Sequence, residues 1–428
     1  MTALAATVAR SPLVSANRRL LAAGTLVLFG LIDVLIFGLF SHKGDAAFAL
    51  SLSGAKVTVP AVRIPAGPTA YILGAASILI GIARGTVTNS PALRRLSIGA
   101  VLFFFVISML VWSVTGSWAN GIPVNVITLL QGTLAASIPL VLGALAGCMG
   151  ERAGVINIAI EGQLLLGAFM AAIVASTVGS IWVGLIGGSL AGGLVGLVLA
   201  LFAIRFLVDQ IILGVVLNLL ISGITGYLYD RLMVVNANTY NNAATFSPVK
   251  IPVLGDIPVV GPILFDSTIF LYLTYIAIIL VQVGLFSTRW GLRVRAVGEH
   301  PTAADTVGIK VLGIRYGNLI MGGLLAGIGG AYLTIGSVGT FSKDMSSGLG
   351  YIALAAMIFG RWTPLGATAA ALLFGFTTAL SSFLGSITVP ISPFILGMAP
   401  YVATIIAVAG LVGRVMAPAA DGKPYLRA

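Results

Sequence analysis

The chain has 428 residues, of which 58% are hydrophobic and only 8% charged, with a formal net charge of +11. A soluble protein carries about a quarter charged residues, so this composition excludes the soluble globular class and indicates a polytopic membrane protein. No Lys/Arg run is interleaved with aromatics, so the positive balance is assigned to loop orientation in a membrane and not to nucleic-acid binding.

In chain order, residues 1–19 carry Arg10, Arg18 and Arg19, and the apolar run Leu20–Phe40 follows. That run is longer than the about 7–15 residues of a signal-peptide core and has no convincing cleavage site after it, so it predicts a first membrane helix. Asp33 within it is costly in lipid and is expected to face protein or water, as a buried structural partner. The alternating stretch Lys56–Ile64, inside His42–Gly67, predicts a short hairpin outside the bilayer. Further helices are predicted at Pro68–Ala83, Leu96–Thr115, Val126–Cys148, about residues 160–178, Ile181–Ile204 and Asp209–Leu228. After the Pro- and Asn-rich stretch Tyr229–Ser267 come Thr268–Ser287, Gly317–Gly336, Gly348–Gly360, Gly366–Leu384 and Phe394–Leu411. Pro68–Ala83 and Gly348–Gly360 are short for a span. The single cysteine, Cys148, closes one apolar run as a small packing residue and excludes an intrachain disulfide. Asn125, Gln131 and Gln282 are read as helix-packing groups. Trp112, Trp118 and Trp182 are read as interfacial anchors. The expected organisation is an N-terminal extension at 1–95 with two helices and an external hairpin, a core at 96–412, and a cytoplasmic tail at 413–428.

Twelve crossings with the N-terminus inside leave Lys43, Lys56, Arg63, Arg231, Lys250 and Lys343 outside and the other seventeen Lys and Arg residues inside. That asymmetry favours cytoplasmic termini. It also puts inside the polar island Thr288–Tyr316, where Arg289, Arg293, Arg295, Lys310 and Arg315 face only Glu299 and Asp305.

The chain resembles itself. Ile211-Ile212-Leu213-Gly214 returns as Phe394-Ile395-Leu396-Gly397, the run after Trp182 resembles the run after Trp362, and GVINIAIEGQLLLGAF resembles GLGYIALAAMIFG. The offset is five predicted helices, an odd number, so the two copies are inverted in the membrane, pairing the helices from Leu96 to Leu228 with those from Thr268 to Leu411. Inverted repeats place a substrate site near the midplane beside discontinuous helices. The candidates are the GVINIAIEG stretch and the SSGLG stretch at residues 346–350. Asn157 and Glu161, four apart, are expected on one helical face. Their groups suit hydrogen bonds to a polar substrate; equally, Glu161 would pair with Arg152 or cap backbone amides of a broken helix. Asn218 is either a site residue or an interhelical bond. No GxxxxGK[ST] motif, G-x-S-x-G elbow or Cys/His cluster occurs, and His42 and His300 stand alone. No catalysis, cofactor or metal is therefore expected of the chain itself.

Inside the polar island, Thr302-Ala303-Ala304 is followed three residues later by Gly308. This is similar to the Glu-Ala-Ala-x-x-x-Gly loop of ABC importer permeases, with Thr302 where those have Glu. GLRVRAVGEHPTAADTVGI resembles the coupling loop of the nucleoside and simple-sugar permeases, and GERAGVINIAIEGQLLLGAF, with its Glu161-Gly162 pair, looks like the nucleoside branch. The resemblance covers roughly residues 96–412. It implies an all-α polytopic fold with a ten-helix type II importer core, built as an inverted five-plus-five repeat, and about two extra N-terminal helices. It implies a non-catalytic, channel-forming subunit in the cell membrane, surrounded by lipid. Its partners would be a separate ABC ATPase subunit, a second homologous permease and an external solute-binding protein, and its substrate a nucleoside. Gly291, Arg293, Arg295, Ala303, Ala304 and Gly308 would form the ATPase coupling loop, through a short helix at Gly291–Val297 or Pro301–Val307. Asn157, Glu161 and Asn218 would line the substrate path. A simple-sugar permease is the nearest alternative. An ion-coupled carrier using Asp33 or Glu161 is more distant.

The charge asymmetry is directly testable by cysteine labelling in a Cys148→Ala background. Lys56→Cys and Lys250→Cys should react with an impermeant thiol reagent from outside, and Arg293→Cys and Lys423→Cys only after permeabilisation. Labelling of position 293 from outside overturns the layout.

Overall fold

The computed structural model describes residues 12–40, 44–52, 58–86, 91–115, 124–386, 398 and 417–426. Apolar runs become helices because lipid offers the backbone no hydrogen-bond partner, and a helix satisfies its own. Helix α1 (Pro12–Ile32) continues as a π-helical turn at Asp33–Gly38. Strands β1 (Asp45–Ala49) and β2 (Val62–Pro65) precede α2 (Ala66–Thr86) and α3 (Pro91–Val114). After β3 (Val124–Asn125) come α4 (Val126–Arg152), α5 (Ile160–Val178), α6 (Ile181–Ala200) and α7 (Gln210–Leu228). Strands β4 (Val249–Lys250) and β5 (Asp266–Ser267) form a two-stranded ribbon before α8 (Ile269–Ser287). Two short helices follow, α9 (Arg289–Glu299) and α10 (Pro301–Thr306), then α11 (Val311–Leu333), α12 (Leu349–Phe359) and α13 (Pro364–Ser386).

Among the described residues ten helices are long and apolar enough to cross a membrane, and Leu349–Phe359 is a shorter apolar one. The chain is thus a mostly helical polytopic membrane protein. The stretch read as short, Pro68–Ala83, belongs to a 21-residue helix of full spanning length. The predicted helix Phe394–Leu411, the repeat copy at 394–397 and Trp118 lie outside the described residues.

The chain divides into two compact units, Met1–Ile127 with Phe383–Ser392, and Thr128–Ser382 with Pro393–Ala428. In the first, α1 and α2 approach so closely that a Cβ at Gly74 would stand 2.9 Å from the Gly30 carbonyl oxygen. A hairpin forms in this region, but its strands differ from the described part of the alternating run Lys56–Ile64, of which residues 56–57 lie outside the described residues. Asp45 pairs with Pro65 and Phe48 with Val62, and β3 joins β1 in parallel. Pro60 offers no N–H to a ladder, so the strand starts beyond it, at Val62. Trp112 donates to the Phe40 carbonyl at 3.2 Å and lies against Phe37, 5.6 Å between centroids.

The second unit is held by close backbone packing. Where α6 crosses α11, a Cβ at Gly192 would meet the Gly327 Cα at 2.6 Å, so only glycine fits, and the Ser189 hydroxyl donates across to the Leu324 carbonyl at 3.1 Å. Small residues at a crossing replace the hydrophobic drive that lipid removes. Gln131 donates to the Pro262 carbonyl at 2.9 Å, and Trp182 packs edge-on to Phe246 at 4.9 Å.

Asp33 is fully buried at the start of the π-helical turn, beside Gly74 and Ser108, and neither carboxyl oxygen has a hydrogen-bond partner in good geometry. A buried carboxylate without a partner costs several kcal/mol. Asp33→Asn should therefore leave the melting temperature of the purified protein unchanged or raise it. A clear fall would mean that Asp33 has a partner it needs.

Candidate translocation path and coupling loop

The apolar body of the second unit is interrupted between α4 and α5, where residues 153–159 are not helical and Gly154 takes φ +83°. A break of this kind leaves N–H and C=O groups unpaired in a medium that cannot solvate them. Polar side chains supply the missing bonds. Ile156 N–H donates to Gln210 Oε1 at 2.8 Å, and Gly162 N–H donates to Asn218 Oδ1 at 2.8 Å. Asn218 Nδ2 donates in turn to the Ile158 carbonyl at 2.9 Å and to Tyr351 Oη at 3.2 Å. Asn157 and Gln163 exchange amide hydrogen bonds at 3.2 and 3.4 Å, both fully buried.

A second irregular stretch, residues 339–348, leads into α12. Phe341 N–H donates to Asn241 Oδ1 at 2.6 Å, Ser222 Oγ to Asp344 Oδ1 at 2.6 Å, and Lys343 pairs with Asp230 at 2.6 Å. Gly348, at φ +84°, turns the chain into the helix. Here Glu161, in the first turn of α5, joins the two stretches. Its Oε1 accepts from Ser346 Oγ at 2.6 Å and Gly348 N–H at 2.8 Å, and its Oε2 accepts from Gly350 N–H at 2.6 Å. The carboxylate thus caps the positive N-terminus of α12. Gly350 is required by the same contact, since a Cβ there would stand 2.8 Å from Glu161 Oε2.

Asn157, Glu161 and Asn218 therefore gather at one place, but not as one helical face. Helix α5 starts at Ile160, so Asn157 lies in the break and the four-residue spacing has no helical meaning. Nor does Glu161 use Arg152. Arg152 Nε donates to the Trp362 carbonyl at 2.8 Å and Nη2 to the Arg361 carbonyl at 3.2 Å, while its guanidinium lies 5.5 Å from the Phe286 ring. Sequence reasoning passed over Gln163, Gln210 and Tyr351. The legible signal was a glutamine directly after the helix-capping Asp209, which accepts from Ile211 and Ile212 N–H at 2.9 Å.

The polar island forms two short helices at the end of the unit where α8 meets α11. Thr288 Oγ1 caps α9 by accepting from Gly291 N–H at 3.0 Å. Gly291 is buried, because a side chain there would run into the Gly284 and Leu285 carbonyls. Arg293 is exposed, whereas Arg295 lies 5.1 Å from the Phe286 ring. Ala303 and Gly308 are exposed, Gly308 at φ +84°. Ala304 is buried against Val297, Val311 and Tyr425. The outward surface also carries Leu292 and Val307, 62% and 75% exposed.

Two interrupted stretches locked to each other within an apolar bundle, with a basic helical pair at one end, define a membrane permease. The family model described as branched-chain amino acid transport system / permease component matches residues 129–415, and the chain belongs to that family. The guanosine ABC transporter permease NupQ of Bacillus subtilis is 40% identical over 70% of this chain and 96% of its own length. The nucleoside ABC transporter permease NupC of Lactococcus lactis subsp. cremoris is 37% identical over 71% of this chain and 99% of its own. A putative glucose ABC transporter permease of Haloferax volcanii is 33% identical over 62% of this chain and 80% of its own. No solved structure matches.

Asn218→Ala should strand the Gly162 N–H and the Ile158 C=O, at about 1–3 kcal/mol each. Glu161→Gln turns an amide donor toward an N–H and should cost a comparable amount. Thermal unfolding in detergent reads both. Because Arg152 has other partners, Glu161→Gln and Arg152→Gln should add within about 0.5 kcal/mol. Stronger coupling contradicts this assignment.

Proposed function

We propose that this chain is the channel-forming subunit of an ATP-driven importer for nucleosides, which passes substrate from an external binding protein to the cytoplasm. The substrate class rests on the relatives named for guanosine and nucleoside transport, which align over 96% and 99% of their own lengths. ATP hydrolysis is assigned to a separate ATPase subunit, since the chain carries no phosphate-binding loop. That subunit docks on α9 and α10, held on the cytoplasmic side, and a second homologous permease completes the path.

The observation that carries this reading is the projecting α9–α10 pair, with exposed Leu292, Val307, Arg293 and Ala303 on an otherwise solvated basic loop. Exposed apolar side chains rimmed by charge mark a protein interaction surface. Substrate passes beside the two interrupted stretches. Asn157, Glu161 and Asn218 shape that path by holding the breaks, because their side chains are already engaged with the protein. Specificity is then left largely to the external binding protein. ATP-driven closure of the partner displaces α9–α10 and shifts the two halves of the permease, so that access alternates.

Uptake of a panel of labelled nucleosides and sugars, with and without the ATPase, tests the substrate class. Uptake of glucose in preference to every nucleoside overturns it. Ala303→Glu and Val307→Glu place charge on the docking surface without touching the buried Ala304, so ATPase co-purification should fall at least about tenfold at unchanged permease yield, the cost of one desolvated interface charge. Full retention of the ATPase in both variants removes α9–α10 from the interface.

A further inference from the structure

Residues 417–426 form a segment that no motif in the sequence singled out. Ala420 N–H donates to the Gly298 carbonyl at 2.9 Å, and Ala419 N–H to Glu299 Oε2 at 3.2 Å, both at the end of α9. Tyr425 is buried with Val297 of α9, Ala304 of α10 and Val311 of α11. The same segment also reaches the α4–α5 break. A Cβ at Gly154 would stand 3.2 Å from the Ala420 carbonyl oxygen, and one at Gly422 2.7 Å from Ile156 Cδ1. Asp421 lies against Glu151 in the last turn of α4, and Glu151 also accepts from the Trp362 indole after α12. Arg315, 2% exposed on α11, donates from Nη1 to the Lys423 carbonyl at 3.0 Å.

Ten residues are thus hydrogen-bonded to the end of α9 and to α11, and packed against the 153–156 break. Hydrogen bonds weaken steeply with small displacements, so α9 cannot shift while this segment stays behind. Burial pushes the Asp421 carboxyl up from the usual carboxylate range, and a proton shared between it and Glu151 removes the repulsion between the two carboxyls. We infer that residues 417–426 are a transmission strap that joins the α9–α10 pair to the 153–156 hinge and makes them move as one body. Tyr425, Arg315 and Asp421 are its positioning residues. The inference rests on the reading of α9–α10 as the ATPase-docking loop.

Tyr425→Ala opens the strap on the α9–α10 side and leaves the outward docking surface intact. In the assembled complex, ATPase co-purification and hydrolysis should stay within about twofold of the unmodified protein, while nucleoside taken up per ATP falls about fivefold or more, the signature of a lost conformational step. Tyr425→Leu, which keeps most of the apolar volume, should fall between them. Hydrogen exchange on the permease alone needs no partner: in Tyr425→Ala, residues 153–156 and 289–299 should both exchange faster, with the α6–α11 crossing unchanged. Faster exchange at only one of the two stretches overturns the strap, as does an equal loss of hydrolysis and uptake, or no loss of either. Failure of both variants to assemble would make the segment part of folding and also overturns it. Absence of ATP-driven uptake in the unmodified complex, with the paired exchange response intact, sinks the docking reading and leaves the strap standing.

Discussion

The interaction on which the second unit depends is the Glu161 carboxylate on the N-terminus of α12. A helix that starts inside an apolar body exposes N–H groups with no water to receive them. Glu161 receives two of these, from Gly348 and Gly350, and the Ser346 hydroxyl as well. Its own helix, α5, begins at a break of the same kind, where Asn218 and Gln210 supply the partners. Each interruption is therefore stabilised by a polar side chain from another helix. A charge in such a position is expensive in lipid, and the interruption it satisfies is the reason it is tolerated.

Around these polar contacts the packing is carried by small residues. At the α6–α11 crossing Gly192, Gly323 and Gly327 bring backbones into direct contact, and Ser189 adds one interhelical hydrogen bond. Tight crossings suit a machine that moves as rigid bodies, because packed interfaces switch between arrangements instead of deforming continuously. Two irregular stretches, 153–159 and 339–348, interrupt this packing. These are the stretches that hydrogen bonds from Glu161 and Asn218 hold in place.

At the other end, the basic island does two jobs with different residues. Leu292, Arg293, Ala303 and Val307 face outward, while Gly291, Val294, Val297 and Ala304 face the body. Arg295 of the island and Arg152 at the end of α4 both lie over the Phe286 ring, so both guanidinium groups serve packing. A motif defined by spacing alone merges these roles. Ala303 and Ala304 are neighbours in sequence, but Ala303 is exposed and Ala304 is buried.

Much of the membrane plan is legible in the chain itself, because lipid converts hydrophobic length into helix almost without exception. The run at 160–178 is Ile160–Val178 in the structure, and the start of α12 falls within a residue of Gly348. The special character of GVINIAIEG and SSGLG was also legible, since glycine and polar residues inside apolar runs mark broken helices. What Asn157, Glu161 and Asn218 do there was not. Whether an intramembrane carboxylate meets a substrate, an arginine or a helix end depends on which backbone groups lie opposite it, and those come from residues nearly two hundred positions away. The hairpin strands likewise follow from Pro60 and the partners of Asp45, and not from the alternation of Lys56–Ile64. Residues 417–426 carry no periodicity or motif to read. Their place between Gly298 and Gly154 exists only once α4, α9 and α11 have converged, because hydrogen bonds to backbone carbonyls leave no mark on the residue types that make them.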